Sequence, residues 1–381
     1  MMEYRQLTAP VALDAYCAWL VEQLPAYRRS WYPLFYALRA LLYGAELLHK
    51  PEYADAAFPY FDQYVGEQLP NGAFHAKPLN RPMADFTYPE IVELLRRGDL
   101  NLADGGSNVH ALLQAAVAAG GERRSRYLGA AEKWLKDWVP IFALPTGAYG
   151  NGFWGGHKLN GPYSMAMNVC SAFAAYTCIT GHRDLIAYAE NFVLFQLENG
   201  WHESGVPIRF DNYPVPNADS LIVDYCRMFY LLEAICWTHY ASDNESFRTR
   251  VKERLDEWLA ADFLPRWQEG QAWFNMDYKF PLPDGWRDSN IGTGFYWRAA
   301  KCNGIPYLFS YYLNHIGENQ ALRQRFEAGV KYLSHPLDAM MQGVASRLEL
   351  YLSIQATGIA CLTLAEGCQA DAAFAFFRRE S

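Results

Sequence analysis

The 381-residue chain carries a formal charge of −8 and is 51% hydrophobic, 19% charged and 16% aromatic. That balance excludes a disordered chain, and the Lys/Arg footprint on which nucleic-acid binding depends is missing. Sixty aromatic rings exceed what packing asks for and point to an aromatic-lined cleft in one large core.

The first segment, "MMEYRQLTAPVALDAYCAWLVEQLP", has no basic stretch ahead of an apolar one, so no secretory leader is expected. No run of about 18 apolar residues predicts a membrane span. Cys17, Cys170, Cys178, Cys226, Cys236, Cys302, Cys361 and Cys368 fall mostly inside apolar helical patterns and form no Cys-x-x-Cys pair. Buried reduced thiols and a cytoplasmic location follow as expectations.

Along the chain, two kinds of helix alternate. Trp31–Leu48 is apolar on most faces, the mark of an inner helix. Tyr53–Phe74 is amphipathic: Tyr53, Ala57, Phe61, Val65 and Leu69 share one face, and the segment closes on Asn-Gly and an aromatic residue. Asn108–Gly120 is again apolar, Tyr127–Tyr149 amphipathic, Ser164–Gly181 apolar, and Leu185–Trp201 amphipathic with the ending "QLENGW". Asp219–Tyr240, Ile305–Gly317 and Leu348–Gly367 continue the apolar series, and Phe247–Trp273 the amphipathic one. A glycine in the left-handed conformation is the expected stop at each amphipathic unit. About six inner and six outer helices predict an all-α (α/α)6 barrel over residues 1–381, with an open helical solenoid as the rival.

Turns from inner to outer helices are short, as in "GHRD" at Gly181–Asp184. Connections back inward are long: Asn71–Ala103, Pro145–Pro162, Asn199–Ala218 and Glu269–Thr293. All of these must emerge at one rim, where ordered loops carry function.

Gly150, Gly152 and Gly155 spell Gly-x-Gly-x-x-Gly, but a dinucleotide site needs a strand before and a helix directly after. An aromatic rim loop, with Trp154 and His157 as substrate contacts, is the better expectation. The chain has no Gly-x-Ser-x-Gly or His-Glu-x-x-His, and its nine histidines make no i, i+4 pair. No metal or organic cofactor is implied.

Carboxylates remain as the candidates for chemistry. Asp104 and Asp219 each begin an inner helix at the long-loop rim, where each serves either as an N-cap or as a cavity acid. Asp211, Asp277 and Asp288 lie in the loops and compete for the same roles. Within Gly285–Tyr307, Arg287 and Arg298 suit a substrate carboxylate, while Trp286, Tyr296 and Trp297 suit a sugar ring. His202 and Arg209 form a second polar group on the facing side.

The helix–Gln-x-x-Asn-Gly–Trp punctuation and the six hairpins resemble the six-hairpin glycosidases. Length and the lack of a leader are similar to the unsaturated glucuronyl and rhamnogalacturonyl hydrolases of that group. The resemblance implies a catalytic Asp at an inner-helix start, matched by Asp104, and a rim-loop His, matched by His202. It also implies a Trp-Arg pair at an inner-helix start, matched by Trp297 and Arg298. The family's Trp-x-Arg-Gly-x-x-Trp run is not intact in "FYWRAAKCNG", and "NGPYSMAMNVC" has no Asp where the second acid would stand.

The reading is a glycoside hydrolase on short oligosaccharides with uronic acids among the candidate units. Asp104 or Asp219 would donate the proton and the other would activate water. No nucleic-acid or membrane partner is expected, and a homo-oligomer is left open. A sugar 2-epimerase would need histidines facing each other across the cavity. A terpenoid cyclase would need an Asp-x-Asp-Asp or Asp-Asp-x-x-Asp cluster, which the chain lacks. A non-catalytic binding protein is the third alternative.

Overall fold

The computed structural model describes residues 6–27, 29–159, 161–200, 222–223, 228–260, 287–288, 303–337 and 350–378. Helices dominate them. Six apolar helices form the inner layer: α2 (Trp31–Leu47), α5 (Leu102–Ala118), α7 (Asn168–Thr180), α9 (Met228–Ala241), α11 (Ile305–His315) and α13 (Leu350–Cys368). Each packs on the next in this order, and α13 returns to pack on α2. The ring is therefore closed, which rules out the open solenoid. Two glycines permit its tightest crossings. A Cβ on Gly106 would meet the Asn168 carbonyl carbon at 2.4 Å, and one on Gly358 would meet the Tyr36–Ala37 backbone at 2.6 Å.

The outer layer is α1 (Ala9–Gln23), α3 (Pro51–Gly66), α6 (Gly121–Lys133), α8 (Ile186–Asn199), α10 (Glu245–Trp258) and α12 (Gln320–Leu333). These helices bury one stripe each. On α3 it is Tyr53, Ala57, Phe58, Phe61 and Tyr64, with Pro59 on the exposed side. The buried apolar side chains of both layers form one continuous cluster. None of the described helices is long and apolar enough to cross a membrane. Cys17, Cys170, Cys178, Cys236, Cys361 and Cys368 are thiols rather than halves of a disulfide.

The repeated Asn-Gly feature ends a helix in only one of its two copies. Helix α3 ends at Gly66, and a separate turn follows in which Gly72 N–H donates to the Leu69 carbonyl (2.9 Å). Leu144 and Gly147 repeat that bond at 3.0 Å, and Gly72 and Gly147 share a φ of +86°. The unit is Leu-Pro-x-Gly-Ala-aromatic, a turn that needs the left-handed glycine. Its aromatic residue folds back, Phe74 stacking on Tyr64 at 4.0 Å and Tyr149 packing on Phe192 at 5.5 Å. At Asn199 the helix does end, but Gly200 has φ −96° and supplies no left-handed stop.

The two ends of the ring differ. The inner helices start at the rim of long connections, where a short helix, α4 (Tyr88–Arg97), and two small sheets lie. Strands β1 (Leu100–Asn101), β2 (Gly152–Trp154) and β3 (His157–Leu159) form an antiparallel sheet, and β4 (Ile222–Val223) pairs in parallel with β5 (Arg287–Asp288). At the opposite end, the short helix α14 (Ala372–Ala375) and the turn Phe376–Arg378 plug the barrel. Phe374 lies 4.2 Å from the Trp237 ring and 4.3 Å from Tyr311, and Phe377 touches both Trp237 and His110.

Candidate active site at the rim

Helix α5 begins where β1 ends, and its orphan N–H groups are satisfied by side chains and loop backbone rather than by its own acid. Leu102 N–H donates to the Asn151 carbonyl (3.0 Å) and Ala103 N–H to Asn151 Oδ1 (3.0 Å). Asp104 N–H donates to Asn101 Oδ1 at 2.7 Å. The N-cap is therefore Asn101, which removes the N-cap alternative for Asp104. Asp104 stands in the first turn, half-buried, with its Oδ2 accepting from Asn101 Nδ2 at 3.1 Å. The helix start favours its negative charge. From α7, Asn168 Nδ2 donates to the Ala103 carbonyl (2.8 Å) and fixes the turn from the neighbouring inner helix.

One helical turn below Asp104, at i+3 on the same face, Ser107 begins a buried polar column along the barrel axis. Its Oγ lies 3.3 Å from Tyr36 Oη, and Tyr36 donates to Glu233 Oε2 at 3.4 Å. Tyr307 donates to Glu233 Oε1 at 2.7 Å, and Arg39 Nη2 reaches the same oxygen at 2.8 Å. Nearer the rim, Gln355 Nε2 donates to Tyr32 Oη (2.8 Å) and Tyr230 Oη (3.1 Å). Burial opposes the charge on Arg39, but Glu233 outweighs it and holds the guanidinium above its ordinary range. Burial, then the Glu233 charge, pushes the Tyr36 and Tyr307 hydroxyls well above theirs, so both stay neutral donors. The column gives the rim a charge-balanced floor.

Sequence reasoning missed this column, although a signal was present. Arg39 in "FYALRALLYG" and Glu233 in "FYLLEAICW" are single opposite charges inside apolar helices. A buried charge persists only when paired, so each called for the other.

Of the other expected site residues, Trp154 and His157 face each other across the β2–β3 hairpin. Its turn is Gly155–Gly156, with φ of +55° and +80°. The glycine-rich stretch is thus a hairpin that leads into no helix, and the aromatic rim loop is more ordered than expected. Gly-Gly between two strands is a readable hairpin signal. The backbone of Arg287 and Asp288 pairs with Ile222 and Val223, so a strand stands inside the segment Asp219–Tyr240 that was expected to be helical from Asp219, and the described helix α9 runs from Met228. Asp219, His202, Arg209, Asp211, Asp277, Trp286, Tyr296, Trp297 and Arg298 lie outside the described residues. Among the described residues, no group of three or more His, Cys, Asp or Glu is placed to hold a metal ion.

Three described inner-helix histidines bear on the epimerase alternative, and one of them, His315 at the last residue of α11, pairs with Asp371 beside the plug (2.6 Å). His110 is 1% exposed, and burial, with Arg39 nearby, holds it well below the ordinary histidine range. Burial lowers His239 to about 3, and its Nδ1 meets Tyr311 Oη at 2.7 Å. All three sit toward the plugged end, away from the rim.

Comparison with solved structures settles the architecture. The chain has the (α/α)6 fold of the six-hairpin enzymes. An inactive variant of an α-1,6-mannanase from Salegentibacter, with two consecutive aspartates replaced and α-1,6-mannotriose bound, matches with a TM-score of 0.55 at 11% identity. That match covers 93% of this chain and 99% of the mannanase. A cellobiose 2-epimerase from Bacillus thermoamylovorans matches at 0.54 and 13% identity, covering 80% of this chain and 75% of that one. A polysaccharide lyase matches at 0.55 and 12% identity, covering 94% and 96%. No family model and no curated protein matches the sequence. This chain contains no Asp-Asp dipeptide, so the mannanase's consecutive pair has no counterpart here.

Proposed function

We propose that this chain is a carbohydrate-active enzyme that hydrolyses short oligosaccharides at the long-loop rim, uronic-acid-containing ones foremost. The observation that carries the reading is the position of Asp104. Asn101 and Asn151 already cap α5, so the structural role expected of a first-turn aspartate is taken by others. Its carboxyl stands at the rim above a buried polar floor, on a fold shared with enzymes named for mannan, cellobiose and polysaccharide substrates. In this reading Asp104 donates the proton to the leaving oxygen. A second carboxylate, Asp219 foremost, activates water. Arg287 or Arg298 grips the substrate's carboxylate. The uronic preference rests on those arginines and on the family resemblance.

Hydrolysis is favoured over epimerisation because the three inner-helix histidines described, His110, His239 and His315, all lie toward the plugged end. The test is product analysis after incubating the purified chain with unsaturated glucuronyl disaccharides, α-1,6-mannooligosaccharides and cellobiose. Hydrolysis adds the mass of water across the products, epimerisation leaves the mass unchanged, and elimination creates an absorbing double bond. Release of the uronyl unit with gain of water is expected. Turnover confined to a mass-neutral product would refute the hydrolase reading.

A further inference from the structure

The small rim sheet links Asp104 to an exposed aromatic ring by a single face. Its register pairs Leu100 with Phe153, Asn101 with Gly152, Phe153 with Lys158, and Trp154 with His157. Directly opposed residues share a face, and alternate residues along a strand share it too. Leu100, Phe153 and Lys158 therefore lie on one side. There Phe153 packs on Phe142 (5.8 Å) and Trp138 (6.1 Å), and the Lys158 ammonium lies 5.8 Å from the Phe142 ring. Asn101, Gly152, Trp154, His157 and Leu159 occupy the other side. Asn101 is the residue whose amide holds Asp104.

Between Asn101 and Trp154, β2 itself adds no side chain to this face, and Leu159 of β3 is paired beside Gly152. Gly152 has φ +79°, and a Cβ there would meet the Leu100 carbonyl oxygen at 2.6 Å. The bare stretch from Gly152 to Trp154 is about 7 Å, two residues of strand. Trp154 beyond it is 52% exposed. The hairpin that presents it is pinned: Gly155 N–H donates to Asp99 Oδ1, and a Cβ on Gly156 would meet the Arg96 carbonyl oxygen at 2.5 Å. The ring is thus presented at the rim by a hairpin tied to Asp99 and seated on the Arg96 backbone, with its apolar surface left uncovered.

We infer that this face is a second sugar subsite, in which Trp154 stacks on the pyranose unit adjoining the one that Asp104 attacks. His157, paired beside it, hydrogen-bonds that unit's hydroxyls. The inference rests on the proposed glycosidase reading and deepens it: the substrate has at least two sugar units, and the second is bound through its apolar ring face rather than by charge. A sugar ring on an exposed indole covers apolar surface that water now meets.

The test uses the full chain and the glucuronyl and manno-disaccharides named above. Trp154→Ala should raise KM about tenfold, the change expected for losing roughly 1.4 kcal/mol of stacking. The loss should fall on KM rather than kcat, and Trp154→Phe should recover most of it. Tyr188→Ala, which removes an exposed ring on α8, serves as the control and should leave KM unchanged. Disaccharide binding to the wild type should also quench tryptophan fluorescence, and the Trp154→Phe variant should lose that quench while keeping its binding. Equal KM in wild type and Trp154→Ala would overturn the subsite and leave the hydrolase reading standing. Absence of any binding or turnover of these sugars by the wild type would overturn both.

Discussion

At the rim, the first turn of α5 is tied down by Asn101, Asn151 and Asn168, and a half-buried carboxylate stands among them. At the other end, the same ring of helices is closed by Phe374, Phe376 and Phe377 of its own chain, packed on Trp237, Tyr311 and Tyr43. The rim spends its polar side chains on holding one carboxyl in place. The plugged end buries polar groups too, but as parts of the packing: Glu366 accepts from Ser310 Oγ (2.6 Å), Asp371 N–H (2.9 Å) and Ala373 N–H (2.9 Å), anchoring the plug. Between the two ends lies the Arg39–Glu233 column. Substitutions at the rim should therefore change chemistry with little effect on stability, and substitutions at the column and plug should do the reverse.

The largest stability effect is expected at the column. Glu233→Leu alone strands the Arg39 charge and should cost about 3–5 kcal/mol in denaturant unfolding, whereas Arg39→Met with Glu233→Leu should recover most of it. A double variant as unstable as the single would mean the column is held by something other than the ion pair. Phe374→Ala should cost about 3–5 kcal/mol by opening a cavity among Trp237, Tyr311 and Tyr307, while KM per folded molecule stays unchanged. A change in substrate affinity in that variant would join the two ends that the account keeps apart.

A smaller effect concerns pH. Burial raises Glu366 to about 7 from 4.5, the Ser310 and backbone hydrogen bonds opposing it. The folded state therefore prefers the protonated acid, so this contribution is fully present below 4.5 and is lost as pH rises through 7. Burial lowers His239 from 6.5 to about 3, so its contribution is present above 6.5 and is lost as pH falls. The two oppose each other between 4.5 and 6.5. Relative to Glu366→Gln, the wild type should lose stability with rising pH from 4.5 to 7, at up to about 1.4 kcal/mol per unit. A pH-independent difference would mean that Glu366 titrates alike in the folded and unfolded chains. Asn151→Ala, the mildest change, should cost about 0.5–2 kcal/mol as a lost cap.

The ring itself was legible in the sequence, because inner helices such as Trp31–Leu47 are apolar on every face and outer ones such as Pro51–Gly66 on one. The rim was legible in part. Unequal connection lengths placed Asp104 at it, but capping was left open as a role for the acid when Asn101, three residues earlier, had the better claim. The Asn-Gly punctuation was visible and right at Asn199–Gly200, where the helix ends, but misread at Asn71–Gly72, where only the hydrogen bonds show that the turn follows the helix instead of ending it. The plug was not legible: "AAFAFF" has no helical period, and its partners lie on helices far away in the chain. Arg39 and Glu233 were each conspicuous, yet nothing local pairs residues on helices so far apart.

The most direct test of the central claim is the turnover and melting temperature of Asp104→Asn on whichever oligosaccharide the wild type cleaves. Asparagine keeps the shape of the side chain and can still accept from Asn101, and the α5 cap does not depend on it. Turnover should fall by about 10²–10⁴-fold, the scale of a lost general acid, while the melting temperature stays within about 4 °C, the shift that roughly 1 kcal/mol of lost helix-dipole interaction allows. Near-normal turnover in a folded variant would show that Asp104 is not the acid and that the chemistry does not take place at the start of α5.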